Sequence, residues 1–209
     1  MKISIKTIII FCALFMLEFS FAQNLTKIVF ENTTDFTNAN LDAVPDHFKK
    51  SAVEQANKYI TITHLFFNSN KEVWYESVKD ISLQNKSSNE ETVKLNLMNT
   101  PPQIRIYKNF NTNTCEFLED NVVNKTAPMD LKWQVTNDEK LILGYHCKKA
   151  TADYKGKKMW VYFTTKLKGE ASPGFMNAVN GVVLEYDNTS KHGIATKIFF
   201  NEPNTKKFF

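Results

Sequence analysis

Tyr145-His146-Cys147-Lys148-Lys149-Ala150, then Tyr154-Lys155-Gly156-Lys157, then Trp160-Val161-Tyr162-Phe163-Thr164 reads as a β-hairpin. Aromatic, β-branched and apolar residues alternate with polar ones on either side of a Lys-Gly turn, and that period of two is the signature of a strand with two unlike faces. The same pattern extends in both directions. Ile60, Ile62, His64 and Phe66 alternate with Thr61, Thr63, Leu65 and Phe67, and Asn68-Ser69-Asn70 turns the chain into Glu72 to Val78. Further strands are expected at Val93 to Met98, Ile104 to Tyr107, Cys115 to Glu119, Leu131 to Val135, Met159 to Thr165, Gly181 to Asp187 and Ile194 to Phe200. Turn formers such as Asn99-Thr100-Pro101-Pro102, Asn137-Asp138 and Asp187-Asn188 separate them. One helix stands out. Asp46 after Pro45 can cap a segment to about Lys58, with Ala52, Val53, Ala56 and Tyr59 on one face. The expected fold is mainly β, within the α+β class. It is a single large curved antiparallel sheet or open half-barrel, with one main helix and the Glu170 to Asn180 loop over the concave face.

Residues 1–22 read as a secretory signal: Lys2 and Lys6 open it, Ile8 to Leu17 is unbroken and apolar, and Ser20-Phe21-Ala22 offers a cleavage site. The apolar run is about half the length a membrane-spanning helix needs. The expectation is therefore an exported protein, periplasmic or at the cell surface, that does not span the membrane. Cys12 follows Phe11 instead of the small residue a lipoprotein signal requires. Residues 23–209 carry no linker or internal repeat and read as one domain. Seventeen Phe and seven Tyr against six Gly and six Pro favour a packed core over disorder. The formal charge is only +4, its lysines scattered as pairs, which argues against nucleic acid as a partner.

Trp133, the segment Gly144 to Ala150, Tyr154 to Lys157, Trp160 to Thr164, Ser172-Pro173 and Gly181 to Asp187 follow one another in a characteristic order and spacing. In these residues the chain resembles the GLPGLI family of exported Bacteroidetes proteins. The hallmark hexapeptide is degenerate: Ala178-Val179-Asn180-Gly181-Val182-Val183 keeps Gly181 and the apolar character, and Asn180 stands where Pro is typical. Pro173, Asn180 and Gly181 are the turn residues of this motif. Asn reaches the left-handed backbone region that Pro cannot, so the loop is expected to differ in shape. The family has no assigned activity to carry over. Together with the strand pattern, the resemblance implies a half-barrel like that of periplasmic lipoprotein carriers, and it also implies work beside an outer-membrane transporter or another envelope assembly.

Cys115 and Cys147 remain after processing, and an oxidising compartment makes a disulfide the default, with two buried free thiols and a metal pair as alternatives. No cofactor or metal is expected, because His47, His64, His146 and His192 fall in separate elements. His64 lies on an apolar strand face and reads as a histidine bonded to a neighbour. His146 alternates with Cys147, which places the two on opposite faces. Ser172 has no evident base, and no nucleophile elbow or phosphate loop occurs. Glu185 and Asp187 share a face that reads as solvated, opposite Val182, Leu184 and Tyr186. A non-enzymatic envelope protein is the resulting expectation. It would hold a lipid or lipoprotein segment among Trp74, Trp133, Trp160, Phe163, Phe175 and Met176, or else would dock an envelope protein by a sheet edge without a small ligand.

Overall fold

The computed structural model describes residues 24–34, 46–47, 60–78, 104–119, 121–189 and 191–204. The secretory signal, the strand expected at Val93 to Met98 and residues 48–58 of the expected helix lie outside the described residues. Asp46 and His47 carry helical backbone. The other regular elements among the described residues are all strands. The strands are β1 (Leu25–Thr34), β2 (Ile60–Phe67), β3 (Glu72–Val78), β4 (Arg105–Asn109), β5 (Thr114–Glu119), β6 (Val122–Thr126), β7 (Gln134–Ile142), β8 (Tyr145–Tyr154), β9 (Lys157–Thr164), β10 (Val182–Asp187) and β11 (Lys191–Glu202).

All eleven form one antiparallel sheet in the order β6-β5-β4-β3-β2-β1-β11-β10-β9-β8-β7. This is two meanders, β1 to β6 and β7 to β11, zipped together by the long β1–β11 ladder that runs from Leu25↔Glu202 to Thr34↔Lys191. β6 and β7 stay unpaired to each other, so the sheet is open.

Its curvature follows from one contact. β3 and β10 are four strand spacings apart, about 19 Å on a flat sheet. Yet the hydroxyls of Tyr75 and Tyr186 meet at 3.5 Å. Both side chains must therefore point into a concave face that bends the two strands towards each other. The main core fills that face, from Ile28, Phe30, Leu65, Phe67 and Ile106 on one side to Val161, Leu184 and Tyr186 on the other. The loop after β9 crosses the same face and buries Leu167, Ala171, Met176 and Val179 there. It is tied to the sheet by an Ala171↔Val182 bridge and to the β6–β7 connection by Met129↔Met176. On the convex face Phe66, Trp74 and Tyr107 are cross-strand neighbours in one row, and with Leu25 they make a second, smaller apolar cluster.

Three expectations need correction. The first is the disulfide: Cys115 and Cys147 are both free and buried. Seven strands separate β5 from β8 in the sheet, and Cys147 instead donates to the carbonyl of Tyr145 at 3.4 Å. The second is the turn at Asn137-Asp138, which lies inside β7, where the ladder to β8 shifts register between Val135 and Glu139. Turn-forming residues here make an enlarged bulge, in which four steps along β7 oppose two along β8 without ending the strand. The third is the face of Glu185: it points to the convex side but is buried, as described below.

Candidate binding cavity

The concave face is not completely filled. A cavity of about 440 Å³ opens between the strands and the crossing loop. That lies within the roughly 300–1,000 Å³ typical of small-ligand sites. Ile104, Ile106, Met129, Met159, Phe175 and Met176 supply its apolar walls, and Tyr75 and Tyr186 line it as well. Two hairpin turns shape its mouth, each for a local reason. Lys155 and Gly156 both have positive φ, 50° and 77°, the two-residue turn whose twist matches that of antiparallel strands. Asn188 accepts from the Lys191 amide and Asp187 from the Thr189 amide, fixing the β10–β11 turn. These turns bring Lys155, Lys157, Asn188, Thr189 and Lys191 to the opening, and Pro173 and Gly174 form part of its lining. Lys191 is half-buried, and burial draws its pKa below the ordinary lysine value.

Beneath the cavity a polar chain crosses the sheet. Tyr186 donates to Asn32 Oδ1 at 2.6 Å, and Asn32 donates in turn to the Thr61 carbonyl at 2.9 Å and Thr63 Oγ1 at 3.0 Å. Burial pushes the phenols of Tyr75 and Tyr186 up, so both remain neutral hydrogen-bonding groups at physiological pH.

The crossing loop is held by a residue the sequence reading passed over. Lys108 is fully buried in β4, and its ammonium donates to the Ser172 carbonyl at 2.5 Å, Ser172 Oγ at 3.0 Å and the Met176 carbonyl at 2.9 Å. It also lies 5.2 Å from the centre of the Phe110 ring. Burial pulls its pKa down to about 7, opposed by its cross-strand neighbour Cys115. A serine beside a lysine of lowered pKa has the composition of a serine–lysine nucleophile pair. Here, however, Ser172 Oγ donates to the Met176 carbonyl at 2.7 Å and is sealed from solvent. The pair is an anchor, and what it anchors is the wall residue Met176.

The expected lining divides. Phe175 and Met176 do line the cavity. Phe163 is core and borders a second cleft with His146, Cys147, Val179 and Asn180. Trp133 borders a third with Leu131 and Val179, and its Nε1 donates to Asn177 Oδ1 at 2.8 Å. Trp74 and Trp160 are not in the interior. Trp74 belongs to the convex cluster, and Trp160 packs there against Tyr162 and His192. The cause is parity: each stands one residue out of phase with an inward neighbour, Val73 or Val161. Of the motif turn, Pro173 lines the cavity, Asn180 is left-handed at φ 56°, and a Cβ on Gly181 would stand 2.8 Å from both the Phe163 ring and the Thr164 carbonyl oxygen.

Titratable groups elsewhere form structural pairs. His64 faces Glu76 across the β2–β3 ladder at 3.5 Å. Glu185, expected to be solvated, is held between His192 at 2.9 Å and Lys140. The Cys147 thiol is pushed up to about 11 by burial, the opposite of what a nucleophile requires. Among the described residues no group of three or more His, Cys, Asp or Glu could hold a metal ion, and no helix is long and apolar enough to cross a membrane.

An open antiparallel sheet curved around an apolar cavity defines the class: a β-rich domain with a pocket on its concave face. The chain belongs to the family described as N-glycanase peptide, N-terminal domain, whose model matches residues 47–200. Two solved structures of PNGF-II, in space groups P21 and C2, share its fold at TM-scores of 0.53 and 0.54 and 19% identity, each over 85% of this chain. The chain spans 28% of the length of those structures. No curated protein matches it.

Proposed function

We propose that this chain is an exported, non-enzymatic envelope protein of the GLPGLI type that binds a hydrophobic ligand, a lipid or a lipidated segment, in its concave cavity. The observation that carries this reading is the 440 Å³ cavity itself, with methionine, isoleucine and phenylalanine walls. Adaptable thioethers and rigid rings suit apolar cargo of variable shape. The family takes its description from the N-terminal domain of an N-glycanase, and a binding role for that domain requires none of the enzyme's chemistry here. A non-catalytic role is also favoured by the state of two buried nucleophile candidates: the Ser172 hydroxyl is committed to a carbonyl and the Cys147 thiol is held protonated by burial.

The test is native mass spectrometry of the protein isolated from the envelope without detergent, compared with its denatured mass. An added species of lipid mass that disappears on denaturation is expected. A bare native mass, with no uptake after incubation with envelope lipid extract, would overturn the reading.

A second reading, a protein-docking module beside an outer-membrane transporter, is favoured by the two sheet edges, β6 and β7, which pair with no further strand among the described residues. Val122 and Val123 on β6, and Val135 and Leu141 on β7, are exposed, and unpaired edges invite strand addition. Crosslinking in the native envelope would capture one recurrent partner on this reading, and recovery of abundant envelope proteins alone would reject it.

A further inference from the structure

The cavity's mouth carries a chemical preference that its walls do not. Three lysines, Lys155, Lys157 and Lys191, line it, and no aspartate or glutamate does. The nearest carboxylates in sequence are Asp153, out of phase with the lining residue Tyr154 and opposite Lys158 in the β8–β9 ladder, and Asp187, which accepts from the Thr189 amide within the β10–β11 turn. Lys191 is half-buried, and among the described residues no ion pair is formed by it, by Lys155 or by Lys157. They come from the turns of two neighbouring hairpins, β8–β9 and β10–β11, at the same end of the sheet, and all three line the one cavity. Apolar depth with a cationic rim is complementary to a molecule with an apolar tail and an anionic head. A neutral lipid would leave the rim unanswered, and a cationic amphiphile would be repelled by it.

We propose that the ligand is a single-chain anionic amphiphile, its acyl tail among Ile106, Met129, Met159 and Met176 and its acid headgroup at Lys155, Lys157 and Lys191. This rests on the cavity reading above and narrows it to a chemical class. Carboxylate and phosphate headgroups share the required charge, and the Thr189 hydroxyl at the same mouth can donate to either.

The test measures displacement of a fluorescent fatty acid from the full chain by four probes of equal chain length: palmitate, hexadecyl phosphate, hexadecanol and hexadecyltrimethylammonium. The two anions should bind about tenfold or more tightly than the alcohol, the sum of three partly exposed charge contacts, and the cation more weakly still. A preference between palmitate and the phosphate identifies which anion the site takes. The Lys155→Gln/Lys157→Gln/Lys191→Gln variant should lose the advantage of the anions over hexadecanol, and a wild-type circular dichroism spectrum shows that it is folded. Equal binding of alcohol and anions by the wild type, or an anion preference that survives in the variant, would overturn the headgroup assignment and leave the cavity reading standing. Failure of all four probes to bind would overturn both.

Discussion

At the scale of single residues the most consequential group is Lys108. Its ordinary value of 10.5 applies in the unfolded chain, and burial pulls it down to about 7 in the fold. Below pH 7 both states hold the proton. Above it the unfolded chain keeps a proton that the folded chain has released, so stability rises with pH and is lost again as pH falls through 7. Each pH unit is worth about 1.4 kcal/mol at most. The window closes near pH 9, because the buried Cys115 and Cys147 thiols and the phenols of Tyr75 and Tyr186 are shifted upward and oppose further gain. Denaturant unfolding should therefore show a gain of about 1–2 kcal/mol between pH 7 and 8.5. Lys108→Met should flatten that slope, and an unchanged slope in the variant would show that another group is responsible. Gly193 is a second telling position. A Cβ there would overlap the Tyr186 ring and stand 2.5 Å from Asn32 Oδ1, two groups already locked in one buried hydrogen bond. Gly193→Ala should cost about 1–3 kcal/mol by overpacking, read as a lower midpoint in thermal unfolding; a wild-type midpoint would mean that the Tyr186–Asn32 pair is free to move.

At the scale of elements, alternation made most of the sheet legible. The hairpin Ile60 to Val78 has the bounds read from its sequence, and β8 to β11 are recognised with ends displaced by a few residues. The misses have physical causes. β1 reads as Leu-Thr-Lys-Ile-Val-Phe-Glu-Asn-Thr-Thr, with buried Asn32 standing where an apolar residue would have completed the pattern. β6 is an edge strand of Val-Val-Asn-Lys-Thr with no buried face, so it lacks the period that reveals a strand. The loop anchor was legible in principle: Ile104, Ile106 and Lys108 share one parity, and a lysine on the inward phase announces a buried cation that needs acceptors. What could not be read was the identity of those acceptors, because backbone carbonyls leave no mark in sequence. The disulfide failed for a related reason, since compartment and count say nothing about which strands are neighbours. It has a direct check: the protein purified from its native host, denatured without reductant, should take up two equivalents of a thiol reagent at Cys115 and Cys147, and the native protein almost none. Modification of neither thiol after denaturation would restore the bridge.

At the scale of the whole molecule, the order of strands decides how the domain holds together. β1 and β11, the first and last described strands, are not at the rim but side by side in the middle, with five strands on one flank and four on the other. The cavity needs both meanders: Tyr75 and Ile106 come from the first, Met159 and Tyr186 from the second, and the Lys108 anchor on the first holds the loop that leaves the second. Removing an edge strand such as β6 would expose one ladder. Removing β11 would break the ladders to both β1 and β10 and separate the two halves of the core. Each half alone is a meander with one apolar face uncovered, and such a sheet has no hydrophobic interior of its own. Deletion of residues 191–204 should therefore abolish cooperative thermal unfolding, not merely lower its midpoint, with loss of near-ultraviolet circular dichroism and of fatty-acid binding together. Deletion of residues 122–126 should leave a cooperative transition at reduced temperature. If the β11 deletion still unfolded cooperatively, one meander would be an independent folding unit, and the cavity would have to be regarded as an interface between two domains instead of the interior of one.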